Sequence, residues 1–331
     1  MATNIWFWIL FNAFVLVLLA LDLGVFHRKA HAVSTKEAAA WSVVWITLAL
    51  LFNIGVYFVA GREPALEFLT GYLIEKSLSV DNIFVFVLLF AYFNVPAAYQ
   101  HRVLFWGILG ALIMRGALIG IGAYLIEQFH WVLYIFGAFL IFTGFRMAFQ
   151  REQEIDVESN AVVRLVRRIL PITSHYRGTR FFIREAGRLV ATPLLVVLLV
   201  VETTDLIFAL DSIPAIFAVT QDPFLVYTSN VFAILGLRAL YFLLAGVIER
   251  FHFLKLGLSV ILVFIGTKML IENRYPIPIT VSLGVVAAVL VISVLASLLF
   301  PKAAQVETPV DGSPLELRRG SAPPFETERG D

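Results

Sequence analysis

Acidic residues interrupt two otherwise apolar stretches of the sequence, at residues 75–82 and at residues 202–212. Carboxylates in these stretches would face hydrocarbon if they did not face something polar. A charged side chain at the centre of a bilayer costs at least about 2.5–3.5 kcal/mol, so such residues usually line a pathway or bind an ion. The chemistry that these segments could support is therefore the binding or relay of a cation within a membrane.

The polar groups of the two segments are all oxygen donors. They comprise carboxylates, hydroxyls and one amide: Glu75, Ser77, Ser79, Asp81, Asn82, Glu202, Thr203, Thr204, Asp205, Asp211 and Ser212. The chain has no cysteine, and its histidines all fall in predicted loops or at helix ends. Oxygen-only coordination suits Mg²⁺, Ca²⁺ or Mn²⁺ better than Cu or Zn, and a proton or Na⁺ relay would use the same groups. The candidate metal ligands are Glu75, Asp81, Asn82, Glu202, Asp205, Asp211 and Ser212.

Helix geometry limits which of these acids can meet. Glu75 and Asp81 lie about 9 Å apart along a regular helix, so both cannot touch one ion there. Glu202 and Asp205 share a helix face. Pro214 should loosen the turn that contains Asp211 and free a backbone carbonyl beside it.

Three basic residues also lie within apolar segments of the sequence. Lys76 is next to Glu75, and Arg115 and Arg238 lie in two further apolar segments. In one interpretation they neutralise the acids when no cation is bound, and the excess of carboxylates favours it. In a second, Arg115 and Arg238 attract an anionic substrate. In a third, the ion pairs only hold the helices together.

The composition indicates an all-α membrane protein. Of the 331 residues, 60% are hydrophobic and 15% are charged, whereas soluble domains are nearer 45–50% and about 25%. The apolar blocks are about 20 residues long, which suits a transmembrane helix. We predict a polytopic bundle of about nine transmembrane helices, at about residues 5–25, 41–60, 67–92, 103–126, 131–149, 191–219, 227–248, 256–271 and 277–300. This transmembrane domain fills residues 1–300, and the polar segment 301–331 is predicted to be a disordered cytoplasmic tail.

Lysine and arginine concentrate in the odd-numbered connections between these spans. The positive-inside rule then places the N-terminus outside and the C-terminus in the cytoplasm. The fifth connection, residues 150–190, alternates apolar residues with Arg164, Arg167 and Arg168. It is either an amphipathic helix on the anionic inner leaflet or a solvated helix whose arginines only set the topology.

Three sequence landmarks recur in the same order, one in each of three successive spans. The pairs are residues 81–83 and 211–213, residues 110–118 and 235–240, and residues 142–147 and 264–269. We therefore predict two copies of a three-helix unit, at about residues 67–149 and 191–271. Such a unit reverses its direction when it is repeated, as in many secondary transporters whose substrate site lies near the midplane.

The segments EKSLSVDNIFVF (75–86), HRVLFWGILGA (101–111) and ETTDLIFALDSIPA (202–215), with LDLGVF (21–26) in the first span, closely resemble the TerC family of integral membrane proteins. The resemblance covers about residues 1–300. It implies tellurium resistance or manganese export of the Alx-like type, and kinship to LysE-type transporters with inverted three-helix repeats. It also implies that the acids of both motifs contact Mn²⁺, and that assistance to protein insertion or metal loading is a further role within the family.

The leading hypothesis is therefore a Mn²⁺ exporter of the inner or plasma membrane, working by alternating access at a midplane site. The alternatives are export of tellurite oxyanion and a non-transporting scaffold whose protein partners dock on residues 150–190. No phosphate-binding glycine loop, HExxH motif or nucleophile elbow is present, so an enzyme is not expected. Mn²⁺ is expected as cargo rather than as a cofactor, and the expected partners are lipid and a divalent cation, not nucleic acid.

Overall fold

The computed structural model of the chain is a bundle of helices with one small hairpin. It describes residues 5–24, 34–149, 164–165, 168, 171–173, 175–185, 187–246 and 251–300, with the backbone alone for 21–24. The helices are α1 (Ile5–Gly24), α2 (Thr35–Ala60), α3 (Arg62–Tyr92), α4 (Ala97–Gln128), α5 (Val132–Phe149), α6 (Pro193–Phe217), α7 (Pro223–Leu235), α8 (Leu237–Leu244), α9 (His252–Ile271) and α10 (Ile279–Leu299).

Local sequence signals explain where several helices begin. Ser34 caps α2, where its hydroxyl accepts a hydrogen bond from the backbone N–H of Glu37. Asp222 caps α7 by accepting from the N–H of Phe224, and Pro223 occupies the first helical position. Proline suits that position because its missing N–H would have no partner within the helix.

The bundle has the surface of a membrane protein. Among the described residues, seven helical segments are long and apolar enough to span a bilayer by length and composition, with α7 and α8 counted as one. The segment formed by α7 and α8 is the most enclosed, whereas α2 and α10 expose apolar side chains around most of their surface. Outer helices that are apolar on their exposed faces are typical of lipid contact. The prediction of a helical membrane bundle is confirmed.

Two features were not predicted. The seventh predicted span is two helices. The regular helical hydrogen bonds are interrupted at Gly236, whose N–H bonds to the carbonyl of Ile234. The fifth connection contains an antiparallel hairpin, β1 (Phe182–Glu185) and β2 (Arg188–Ala191), so the fold is not purely helical. The predicted amphipathic helix lies mostly outside the described residues; of its arginines, Arg164 and Arg168 are described, and both are helical and exposed.

Helices α5 and α9 form the most extensive helix pair in the described chain. Their backbones meet at glycines. A Cβ atom on Gly266 would lie 2.6 Å from the carbonyl oxygen of Gly137, and one on Gly144 would lie 2.9 Å from that of Ser259. Small residues at such crossings allow close backbone contact between membrane helices.

Replacing Gly266 with alanine is therefore expected to destabilise the protein by about 1–3 kcal/mol, because backbone atoms must move apart to admit the methyl group. A Cβ atom on Gly120 of α4 would have no neighbour within 4 Å, so Gly120→Ala is the matched control. It should be neutral or stabilise by up to about 1 kcal/mol through helix propensity. Melting temperatures of the two purified variants test this. Equal melting temperatures would show that the α5–α9 crossing is not tightly packed.

Candidate cation site

Arg115 lies in the middle of α4, and only 2% of its surface is exposed. Its guanidinium binds acids of two other helices. Nη1 donates to Oε1 of Glu75 on α3, and Nη2 and Nε donate to the two carboxylate oxygens of Asp205 on α6, at 2.8 and 3.1 Å. Such bidentate pairing fixes geometry and is among the stronger ionic contacts in proteins. We call Glu75, Arg115 and Asp205 the buried triad.

Two neutral side chains lie at the edge of the triad. Ser212 Oγ and Asn230 Oδ1 are 3.4 and 3.5 Å from Nη1 of Arg115. Ser212 was among the predicted ligands, whereas Asn230 of α7 was missed. The signal that could have found Asn230 is an amide within the apolar run of residues 223–235.

Several polar atoms beside the triad have no hydrogen-bond partner among the described residues. They include Oε2 of Glu75, Oγ of Ser79 and Nδ2 of Asn230. Glu75 is fully buried, and Ser79 lies one turn further along the same face of α3. Buried polar atoms are usually bonded. The two unpartnered oxygens are therefore available to an additional ligand.

Glu202 lies beside the triad on α6, one turn before Asp205. Its carboxylate occupies the space left by Gly110 of α4, where a Cβ atom would overlap the carboxylate oxygens. Its Oε2 is buried and has no hydrogen-bond partner within the described part of the chain. Glu202 thus adds a third carboxylate near the contact between α4 and α6.

Asp81 and Asp211 form a second acidic group, which interacts with different helices. Asp211 accepts a hydrogen bond of 3.2 Å from Thr143 on α5 and interacts electrostatically with Arg146 and Asp81. Asp81 interacts electrostatically with Lys255 on α9. Asn82, next to Asp81, is buried. Thr143 was not predicted as a site residue, although it lies within the third recurring landmark.

The two other predicted cations lie at the α7–α8 break and beside it. Nζ of Lys76 donates to the carbonyl of Ala233 at 3.4 Å, and it would lie 2.6 Å from a Cβ atom on Gly236. The glycine thus makes room for the ammonium group. Nη1 of Arg238 is 3.1 Å from Nε2 of His101, and Arg238 and Asp205 line one small pocket.

The structure therefore divides the predicted ligands between two places. Glu75, Asp205 and Glu202 lie around Arg115, whereas Asp81 and Asp211 lie nearer α5 and α9. Within the described ranges, no three residues of the types His, Cys, Asp and Glu come together as a metal site. Helix α6 continues to Phe217, past Pro214. The assignment of the seven residues as ligands of a cation stays a prediction.

Comparison with known proteins places these residues in a family context. The family model described as "Integral membrane protein TerC family" matches residues 60–305. An uncharacterized membrane protein of Myxococcus xanthus is 58% identical over 292 residues, covering 88% of this chain and 92% of the relative. No solved structure matches the chain.

Two further relatives cover nearly the same length. The Escherichia coli (strain K12) protein described as "Putative membrane-bound redox modulator Alx" is 58% identical over 292 residues, 86% of this chain and 91% of the relative. An uncharacterized membrane protein of Rickettsia bellii is 42% identical over 292 residues, 88% of this chain and 97% of the relative. The similarity therefore extends over both acidic segments.

Proposed function

The chain belongs to the TerC family of integral membrane proteins, and on that premise we propose that it exports a divalent cation, Mn²⁺ foremost, by alternating access. The observation that carries the proposal is the buried triad, in which Oε2 of fully buried Glu75 has no hydrogen-bond partner in the described ranges. Ionisable residues inside a membrane bundle mark ion pathways more often than structural contacts. Three carboxylates, including Glu202, exceed what one guanidinium neutralises.

Arg115 has the role of a resident cation in this proposal. It neutralises Glu75 and Asp205 while the site holds no metal, as the sequence led us to expect. An arriving divalent cation competes for the same carboxylate oxygens, and Ser79, Ser212 and Asn230 supply neutral oxygens nearby. Oxygen donors alone favour Mn²⁺ or Mg²⁺ over softer metals.

Paired contacts support the proposed inverted repeat. Gly144 and Gly266 occupy the same place in the third landmark of the two copies. Gly144 approaches the carbonyl oxygen of Ser259, which lies two turns before Gly266. Gly266 in turn approaches the carbonyl oxygen of Gly137, which lies two turns before Gly144. Reciprocal contacts of this kind are what a two-fold axis produces. Glu75 and Asp205, which stand six residues before equivalent aspartates, meet at the same arginine.

Asp81 and Asp211 serve as a second station in this proposal. They interact with α5 and α9, the third helices of the two copies, whereas the triad joins the first helix of each copy through α4. Relative movement of the copies would then pass the cation between the two groups of carboxylates. Rigid-body movement of one repeat against the other is the usual form of alternating access.

The competing functions fit the geometry less well. The Arg115 guanidinium is already paired with the carboxylates of Glu75 and Asp205, so its charge is neutralised there and the surplus of carboxylates disfavours a tellurite oxyanion. Redox modulation, the role in the name of the Escherichia coli relative, cannot use thiol chemistry of this chain, which has no cysteine. A scaffold role would depend on the arginines of residues 150–190 and not on the triad.

The experiment is direct transport in vesicles reconstituted with the purified protein. We expect Mn²⁺ to cross with the wild type and tellurite not to cross. Glu75→Gln should reduce Mn²⁺ flux at least about tenfold, since it removes a charged ligand worth about 1.5–3 kcal/mol. Glu63→Gln is the matched control, because Glu63 is exposed at the start of the same helix.

Two results would contradict the proposal. One is Mn²⁺ flux in Glu75→Gln equal to that of the wild type. The other is tellurite flux without Mn²⁺ flux. If neither solute crosses, while neutralising Arg164 and Arg168 removes a metal-tolerance phenotype in cells, the scaffold function replaces export.

A further inference from the structure

The β1–β2 hairpin is fastened to the helical bundle at its base. Thr192 donates through its N–H to the carbonyl of Phe181 and through its hydroxyl to that of Arg180, at 2.9 and 2.7 Å. Arg102 of α4 donates to Thr179 at 3.0 Å and stacks over the ring of Phe181. These bonds fix the hairpin's position against α4 and the start of α6.

A second set of contacts holds the chain before the hairpin. The hydroxyl of Tyr176 donates to the carbonyl of Phe93 at 2.8 Å. Burial raises the pKa of Tyr176 well above its usual range, so this hydroxyl remains a donor at every physiological pH. The hairpin therefore projects from a rigid attachment at the ends of α3, α4 and α6.

The strand register gives the hairpin two different faces. Phe182 and Arg184 lie on the same face as Leu189, because Arg184 pairs with Leu189 and alternate residues share a face. Phe182 is 45% exposed and Leu189 is 51% exposed. The other face carries Ile183 and Val190, which are partly and fully buried. An outward face that combines two large apolar side chains with an arginine is unusual for a surface in contact only with water.

The segment is also strongly basic. Residues 171–191 contain four exposed arginines and one acid, Glu185. That acid pairs in the register with Arg188, on the face opposite Arg184. The outward face itself therefore carries positive charge without a neighbouring acid in the hairpin.

The hairpin lies where a bilayer surface would be. Only Thr192 separates β2 from α6, a helix apolar and long enough to span a membrane. Phe181, which precedes β1, contacts Trp106 of α4, and that indole is 43% exposed. Trp106 lies in the third turn of α4, and exposed tryptophan near the end of a membrane helix is typical of the headgroup region.

We propose that the outward face of the β1–β2 hairpin binds anionic phospholipid, with Phe182 and Leu189 in the headgroup–acyl boundary and Arg184 on the lipid phosphates. Apolar side chains beside basic ones are the combination that binds anionic interfaces. The proposal is independent of which ion the bundle transports. It assigns the lipid contact of the fifth connection to a hairpin, where the sequence suggested a helix.

The test is amide hydrogen exchange of the full-length protein in nanodiscs. Exchange of the peptide spanning residues 180–191 is compared between pure phosphatidylcholine and a mixture with phosphatidylglycerol. We expect the anionic lipid to slow exchange about fivefold, the effect of roughly one arginine at an anionic surface. Arg184→Gln should remove this difference, whereas Arg188→Gln, on the opposite face, should keep it.

A second measurement does not depend on charge. In Phe182→Trp, lipids brominated near the headgroup end of the acyl chain should quench the fluorescence of the new tryptophan. The quenching of total tryptophan fluorescence should therefore exceed that of the wild type, which has only the native tryptophans. Three results would overturn the proposal: equal exchange in both lipids, equal effects of Arg184→Gln and Arg188→Gln, or absence of added quenching. Protection that arises only on addition of an acidic soluble protein would overturn it too and identify a protein-docking face.

Discussion

Replacing Arg115 with methionine is expected to destabilise the protein by about 3–5 kcal/mol, because it leaves two buried acids without their cation. Glu75 is fully buried and Asp205 is 4% exposed, so water cannot replace the guanidinium without opening the bundle. The melting temperature of the purified protein should fall by about 10 °C. Arg274→Met is the control, since Arg274 is exposed, and it should change stability by less than about 0.5 kcal/mol.

A triple variant separates the structural role of the triad from its role in transport. In Glu75→Met/Arg115→Met/Asp205→Leu all three charges are absent, and replacement of a whole buried ion cluster by apolar side chains of similar volume is often neutral in stability. We therefore expect the triple variant to melt near the wild-type temperature and yet to move no Mn²⁺ in vesicles.

Two outcomes would contradict these expectations. If Arg115→Met has the same melting temperature as the wild type, the guanidinium does not hold the acids and the triad does not join the three helices. If the triple variant transports Mn²⁺ at the wild-type rate, the triad is structural only. The transport site must then be sought at Asp81 and Asp211.

The helices could be predicted from the sequence, because length and apolarity alone determine which segments can span a bilayer. Predicted and observed spans agree within a few residues for α1, α5 and α10. The break in the seventh span was missed. Gly236 lies in an apolar run without a neighbouring proline, and its role depends on Lys76, which lies far away in sequence and needs the space of the absent side chain.

The candidate site could be predicted only in part, for a related reason. Charged residues in apolar segments cost free energy to bury, and so they identify which residues belong to the site. They do not identify which of these residues pair with each other. The pairing of Arg115 with Glu75 and Asp205 depends on how α3, α4 and α6 are rotated about their axes. The same holds for the hydrogen bond from Thr143 to Asp211, since a threonine carries no cost in a membrane helix that would draw attention to it.

The hairpin was missed because its strands are short and basic. Strands of four residues give too few alternating positions to distinguish them from a loop. Their arginines had already been explained by membrane topology. Contacts of Thr192, Arg102 and Tyr176 with distant backbone atoms and side chains define the hairpin's position, and such contacts leave no local pattern in the sequence.

Asp211→Asn is expected to reduce Mn²⁺ transport about 100-fold or more while it leaves the fold intact. A unit charge at about 4 Å from a cation contributes about 4 kcal/mol near a protein surface, and every 1.4 kcal/mol is about a tenfold change. Asp211 is only partly buried, and the amide oxygen of asparagine can still accept the hydrogen bond from Thr143. The melting temperature should therefore change little, in contrast to Arg115→Met.

Thr143→Val is the matched control for Asp211→Asn, because it removes the hydrogen bond and keeps the charge. It should reduce flux less than tenfold if the carboxylate charge is what the cation needs, since one neutral hydrogen bond contributes only about 0.5–1.5 kcal/mol. Asp81→Asn should reproduce the loss seen in Asp211→Asn, because the two aspartates occupy equivalent landmarks and interact with each other. Wild-type flux in both aspartate variants would remove the second station from the pathway and leave the buried triad as the whole site. A loss in one variant alone would contradict the equivalence of the two copies, because a cation that passes between copies must meet both acids.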